Sequence, residues 1–335
     1  MLNVGLIGYG YWGNNLLRNF TAHQGAKMIM VSDSREPRLD IIRKNHPSIQ
    51  TSINSEDVVN HPDIDAVVIA TPVFTHYALA KSALLNGKHV LLEKPMTSSI
   101  KESEELIALA KDKGLTLMVD HTFLYTGAVQ KLKQLISDGS IGNIKYFDST
   151  RINLGLFQPD INVLWDLAPH DISILNYLVH ETPYSVNATG VSHTHNDIEN
   201  IAYMTVNYKS GFIAHFHCSW SSPVKIRTML LGGDKKMMVY NDLEPTEKVK
   251  VYDTRYDYKS DEEQMKILVE YRTGDVYIPM LESREALYGM VSDFLNAIET
   301  KTEPVSNAAS GLEVVRILEA AQQSIKQNGK EIILD

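Results

Sequence analysis

Cysteine is nearly absent from this chain of 335 residues, where Cys218 stands alone. A single thiol forms neither an intramolecular disulfide nor a thiolate metal cluster, which suits a reducing compartment. No apolar run approaches the roughly 18 residues that a membrane span requires. Lys and Arg are outnumbered, the net charge being −9, so a broad footprint on a phosphate backbone is not expected. Neither nucleic acid nor membrane is an expected partner. The opening MLNVGLIGYG carries no basic n-region and no apolar h-region of a secretion signal, and the expected location is cytoplasmic. Internal repeats and low-complexity tracts are lacking as well. What remains, 44% hydrophobic and 22% charged residues, is the composition of a globular protein. Cores stop growing at about 250 to 300 residues, so two domains are expected.

Over the first 120 residues short β-branched runs alternate with helical periods: Val4 to Ile7, Met28 to Ser32, Ala66 to Ala70, His89 to Leu92 and Thr116 to Val119. Parallel neighbours need long crossovers, so this alternation predicts a doubly wound parallel sheet. From about Lys145 the rhythm changes. Asn200 to Tyr208 and Phe212 to Trp220, joined by Lys209-Ser210-Gly211, predict an antiparallel hairpin. Helices are expected over Glu282 to Glu299 and Asn307 to Gln327, with Asn307 or Ser310 as cap and Gly329 past the end. The stretch Leu243 to Gly274 is charged and aperiodic, and suggests surface loops and an edge strand. The expected fold class is α/β: a parallel domain over 1–120 and an α/β domain with an open, mostly antiparallel sheet over 121–335, the C-terminal helix packing back on the first.

Gly8-Tyr9-Gly10-Tyr11-Trp12-Gly13 follows the first strand and precedes the helical run Asn14 to Phe20. Glycines there permit a tight turn and close approach of a pyrophosphate, whose charge then sits at a helix N-terminus. Asp33, about twenty positions on, is placed to accept from the ribose hydroxyls and to repel a 2′-phosphate. NAD is therefore the expected cofactor, with Ser34 beside it; Arg35 keeps NADP as the alternative. Glu93-Lys94-Pro95 follows the fourth run directly, at the strand end where doubly wound sheets bind ligands. Lys94-Pro95 is a candidate cis peptide.

Together, Gly8-x-Gly10-x-x-Gly13, Thr71-Pro72 with His76, Gly87 to Pro95 and Asp166-x-x-x-His170 resemble the glucose-fructose oxidoreductase / inositol dehydrogenase / MocA family over essentially the whole chain. The resemblance implies an N-terminal Rossmann domain, a C-terminal domain whose open sheet packs against another subunit, and oxidation or reduction of sugars or cyclitols with NAD or NADP. It places Thr71, Pro72, His76 and Glu93 with the cofactor, Lys94 at the substrate and nicotinamide ribose, and Asp166 and His170 beside the reacting hydroxyl.

Asp166 and His170 stand at i and i+4 in VLWDLAPHDISIL and share one face if helical. Pro169 is tolerated in the first turn of a helix, so the stretch is expected to be a helix start, with Asp166 also a candidate cap. Alcohol oxidation needs a base that titrates near working pH, which an imidazole does. His170 is the expected base, Asp166 its orienting partner and Lys94 the group that polarises the oxygen; Lys94 as proton acceptor is the competing assignment. His121 and Tyr125, with Arg151, Asn153 and Gln158, are expected to line the substrate pocket. Arg151 suits a phosphate or carboxylate, and Asn153, Gln158 and His121 suit hydroxyls.

The run RINLGLFQPDINVLWDLAPHDISIL is similar to family members of sugar-nucleotide and aminosugar pathways. That resemblance implies C3 of a nucleoside-diphosphate sugar, such as a UDP-N-acetylhexosamine, with inositol or a free or phosphorylated hexose as the alternative. A dinucleotide-binding regulator without catalysis is the second alternative. His193-x-His195 and His215-x-His217 lack a completing carboxylate or thiolate, so no metal is expected; they are expected on a sheet face at a subunit contact in a homo-oligomer. Met237-Met238 is expected to be packing.

Overall fold

The computed structural model describes residues 1–194, 197–257 and 270–334. The chain divides into two compact units, one of residues 1–126 and 284–316, the other of residues 127–283 and 317–335. The first unit thus runs six residues past the expected division and takes back a C-terminal segment.

The first unit opens with β1 (Leu2–Ile7), α1 (Tyr11–Ala22), β2 (Ala26–Ser32), α2 (Glu36–Asn45), β3 (Gln50–Ser52), α3 (Ser55–Val59), β4 (Ala66–Ile69), α4 (His76–Leu85), β5 (His89–Glu93), α5 (Ile100–Lys113) and β6 (Leu117–Asp120). The sheet order is β3-β2-β1-β4-β5-β6, and every pairing is parallel. Residues of β4 and β6 are buried throughout, as expected of parallel strands covered on both faces. The order reverses between β1 and β4. Ligands bind at that switch point, beyond the carboxyl ends of the strands.

The second unit begins with α6 (Gly127–Ser137), β7 (Ile144–Leu154) and α7 (Val163–Leu178), followed by β8 (Ser185–Val191), β9 (Ile201–Asn207), β10 (Ile213–Ser219), β11 (Ser221–Gly233), β12 (Met237–Asn241), β13 (Val249–Asp257) and β14 (Glu270–Tyr277). The β9–β10 hairpin pairs antiparallel with Ala214 opposite Val206, and Gly211 in its turn has φ 86. In the stretch read as surface loops and an edge strand, Val249–Asp257 and Glu270–Tyr277 form two paired strands, the second at the edge of the sheet; the part between them, 258–269, lies outside the described residues. Alternation along β7 buries Phe147, Ser149 and Arg151 on one side. Ile172, Leu175 and Leu178 of α7 are buried with them.

The chain then enters α8 (Ala286–Thr300) and α9 (Ala308–Lys326), and ends with β15 (Ile332–Ile333). In the first unit Phe294 of α8 meets Phe20 of α1 edge to face at 6.4 Å, both rings fully buried. Losing either would cost about 3–5 kcal/mol, which explains why this returning helix belongs to the first unit. Asn307 caps α9 by accepting from the Ser310 N–H. β15 pairs with β8 and completes the nine-stranded order β14-β13-β12-β11-β7-β10-β9-β8-β15. Only β7 and β10 pair parallel in it, so the sheet is mixed and mostly antiparallel.

Candidate active site residues

The turn after β1 requires its glycines. Gly8 has φ +95, and a Cβ on it would stand 2.4 Å from the Ala70 carbonyl oxygen. A Cβ on Gly13 would stand 2.0 Å from the Gly8 carbonyl oxygen. Around Gly10 the space is open, and it precedes α1 without a capping side chain or an acidic residue in the first turn. The free N–H groups there make an anion site. Tyr11 and Trp12 are exposed and meet edge to face at 5.3 Å. These features fit a dinucleotide pyrophosphate. Gly13→Ala is expected to weaken NADH binding by about tenfold or more, measured by calorimetric titration; unchanged affinity would remove the pyrophosphate from this turn.

Asp33 stands just past β2 and is 7% exposed. Its Oδ2 accepts from the Tyr9 N–H at 2.8 Å. The Arg35 guanidinium donates to both its oxygens, at 2.8 and 2.9 Å. Burial pushes this carboxyl up, but the Arg35 side chain and the N–H groups of Tyr9 and Arg35 outweigh that and hold it at about 2. Ser34 and Arg35 are exposed. A ribose approaching Asp33 therefore meets Arg35 as well, which is why the carboxylate argues for NAD and the guanidinium keeps NADP in contention.

His76 differs in kind from a surface ligand. It is 1% exposed, with Nε2 2.8 Å from the Thr71 carbonyl and Nδ1 3.0 Å from the Pro95 carbonyl. It ties the turn after β4 to the turn after β5. Burial, with Lys94 nearby, lowers its affinity for a proton. Thr71 shares a hydroxyl contact of 2.6 Å with Thr75. Lys94-Pro95 is cis, as the sequence suggested, and Glu93 accepts from the Lys94 N–H at 2.9 Å.

Beyond β6, His121 is fully buried and neither ring nitrogen has a hydrogen-bond partner among the described residues. Burial, then Lys94, pushes it down to about 3, so it is neutral at working pH. Tyr125 is occupied otherwise than expected. Its hydroxyl donates to Asp293 at 2.7 Å and accepts from the Ser306 N–H at 3.3 Å, and burial raises it. It fastens the C-terminal return of the first unit.

In the second unit α7 starts earlier than Pro169 suggested. Asn162 caps it, accepting from the N–H groups of Leu164 and Trp165 at 3.1 and 3.2 Å, so Pro169 lies inside the helix. A proline there removes one helical bond. Asp166 is not the cap: its Oδ2 accepts from the Trp220 indole N–H at 2.9 Å, which fixes the carboxylate one turn before His170. Phe157 packs on Trp220 at 5.5 Å. A Cβ on Gly155 would stand 2.9 Å from both the Asn153 amide and the Trp220 ring, so Asn153 stays beside the Asp166 partner. Gln158 is half-buried on the same loop. Trp220 itself escaped notice in the sequence because its partner is 54 residues away.

Arg151 has a different occupation from substrate recognition. It is 3% exposed and donates to Asp171 through Nε and a terminal nitrogen, at 2.9 and 2.5 Å. Asp171 also accepts from Ser149 at 2.7 Å. Burial works against the guanidinium, but the Asp171 charge outweighs it and Arg151 stays charged. His193 donates its N–H to Asn200, while its expected companion His195 lies outside the described residues. His215 and His217 stack on Tyr203, at 6.3 and 4.4 Å, and His215 pairs with Asp148 at 3.6 Å. Among the described residues no metal-ligating group is found, and no helix is long and apolar enough to cross a membrane.

A glycine turn at the switch edge of a parallel sheet, followed by a buried carboxylate after the second strand, defines a dinucleotide-binding α/β protein. The chain belongs to the Gfo/Idh/MocA oxidoreductase family: residues 2–121 match the oxidoreductase family's NAD-binding Rossmann fold and residues 129–239 match its C-terminal domain. It is 26% identical to the UDP-N-acetylglucosamine 3-dehydrogenase of Acidithiobacillus ferrooxidans over 96% of each chain. The crystal structure of that enzyme superposes with TM-score 0.79 at 25% identity, covering 97% of this chain and 98% of the other. The NAD-dependent scyllo-inositol 2-dehydrogenase of Bacillus subtilis is 27% identical over 71% of this chain and 72% of that one. The uncharacterised oxidoreductase YdgJ of Escherichia coli is 34% identical, but the chain spans only 51% of its length and the match covers 50% of this chain.

Proposed function

We propose that the chain is an NAD(P)-linked dehydrogenase or ketoreductase acting on a sugar hydroxyl or keto group, at C3 of a nucleoside-diphosphate sugar. The full-length similarity to the UDP-N-acetylglucosamine 3-dehydrogenase supports this reading most directly. Gly8, Gly10, Gly13 and the first turn of α1 hold the pyrophosphate, and Asp33 with Arg35 meets the adenosine ribose. NAD(P) supplies the hydride acceptor or donor when bound. His170 takes the hydroxyl proton during oxidation and returns it during reduction. Asp166, held by Trp220, orients the imidazole and stabilises its charged form, while Lys94 polarises the substrate oxygen. His121, Asn153 and Gln158 are proposed to meet sugar hydroxyls. An imidazole with two unpaired nitrogens in a buried position is costly unless a ligand or water bonds it.

The test is absorbance at 340 nm with NAD or NADP against a panel of UDP-N-acetylhexosamines, scyllo-inositol, glucose and glucose 6-phosphate. Turnover confined to the nucleotide sugars supports the proposal. Turnover of the cyclitol favours the second reading, for which the inositol dehydrogenase similarity speaks. Cofactor binding without turnover of any of them would leave a regulator.

A homo-oligomer is proposed through the outer face of the nine-stranded sheet, where Tyr203, Ile213 and Leu230 are 46%, 44% and 38% exposed. Exposed apolar side chains on one face of a mostly antiparallel sheet need cover. Ile213→Asp is expected to lower the mass measured by light scattering to that of one chain. An unchanged oligomer would move the interface elsewhere.

A further inference from the structure

Two carboxyl groups lie buried at the carboxyl ends of β5 and β6. Glu93 and Asp120 are register partners there, 7% and 2% exposed. Asp120 accepts from the Thr122 hydroxyl through Oδ1. Its Oδ2 is buried and finds no donor among the described residues. Glu93 accepts from the Lys94 N–H, and the two carboxyl groups are within hydrogen-bond reach of each other. Two carboxylates offer only acceptors to one another, so this contact bonds only if it holds a proton.

We propose that Glu93 and Asp120 share one proton, and that the single negative charge they retain acts as a positioning pair for Lys94. The proposal rests on the role given to Lys94 above. The surroundings agree in sign. Burial, then the neighbouring Asp120, pushes Glu93 far up, whereas Asp120, raised by burial to about 6, is eased by its bonds from Thr122 and Glu93. The other titratable groups facing the pair are Lys94, whose charge acts on both carboxyls, and His121 and His76, which feel Lys94 and are held neutral by burial.

This also assigns the pair to the nicotinamide half of the cofactor. Asp33 after β2 takes the adenosine side, and the sheet order places β4, β5 and β6 on the other side of the switch point. Lys94 and the shared proton thus belong to the half where the chemistry occurs. Asp120 sits directly before His121, and the rule that drew attention to Glu93, a charge at the end of a parallel strand, applies to it equally.

The decisive measurement is an infrared titration of the purified protein in the carboxyl region, which needs no substrate. The wild type is expected to keep a protonated carboxyl band at pH 7.5 and to titrate in two steps, the first near pH 6. Asp120→Asn and Glu93→Gln are each expected to titrate in one. A wild-type spectrum without that band at pH 7.5 overturns the shared proton whether or not either variant folds. Its effect on Lys94 is read from kinetics on the sugar that the panel identifies. Asp120→Asn should lower kcat by about tenfold while the KM for NAD moves by less than about threefold, with Asp120→Glu recovering most of the rate. The break of the kcat profile near pH 6 should also shift, because the carboxyl that sets it with Glu93 is gone. A wild-type profile in Asp120→Asn overturns the positioning role. The band present without turnover of any sugar would instead count against the dehydrogenase reading and leave the pair standing.

Discussion

His170→Ala lowers kcat for the sugar substrate by about 10²–10⁴-fold, the usual contribution of a positioned acid or base, and leaves the Kd for NADH within about threefold. The second half of that expectation matters as much as the first. The glycine turn and Asp33 belong to the first unit, His170 to the second, so a pure proton-transfer residue has no reason to alter cofactor affinity. Steady-state rates with calorimetric binding check both. Equal loss of rate and affinity would remove His170 from the role of base. The competing assignment has its own signature: if Lys94→Met abolishes turnover while His170→Ala retains most of it, the neutral Lys94 amine is the proton acceptor.

Arg151→Met is expected to destabilise the second unit by about 3–5 kcal/mol, because it strands Asp171 as an uncompensated buried charge. That is a large share of the roughly 5–15 kcal/mol that holds a typical domain. Calorimetric unfolding would show the loss as a lowered Tm. The double variant Arg151→Met/Asp171→Leu is expected to recover part of it, since well-packed apolar replacements of a buried pair are often tolerated. A single variant as stable as wild type would mean that Arg151 is available for substrate after all.

The parallel sheet was legible in the sequence because its longer strands are short runs without a charged residue, rich in Val, Ile and Leu and bounded by helix periods, as in Val4 to Ile7 and Ala66 to Ile69. β3 was not, because Gln50-Thr51-Ser52 is three polar residues long and is a strand only by pairing with β2. The start of α7 was obscured by Pro169. A proline inside a helix is disfavoured by about 3 kcal/mol, and only the packing of a largely buried helix outweighs that. In the candidate site, the glycines, Asp33 and the Glu-Lys-Pro turn carry local patterns that spacing exposes. The pairings of Arg151 and Tyr125 were hidden for the opposite reason. Their partners, Asp171 and Asp293, arrive from other elements, and nothing near either residue in the chain announces them.

The indole of Trp220 leaves a practical legacy. Because its N–H ends on the Asp166 carboxylate, a ligand contact at that carboxylate alters the polarity around an intrinsic fluorophore. A sugar held at that carboxylate as proposed would therefore carry its own optical signal, and emission from a protein in which Trp12 and Trp165 are replaced by phenylalanine would follow that event without any label.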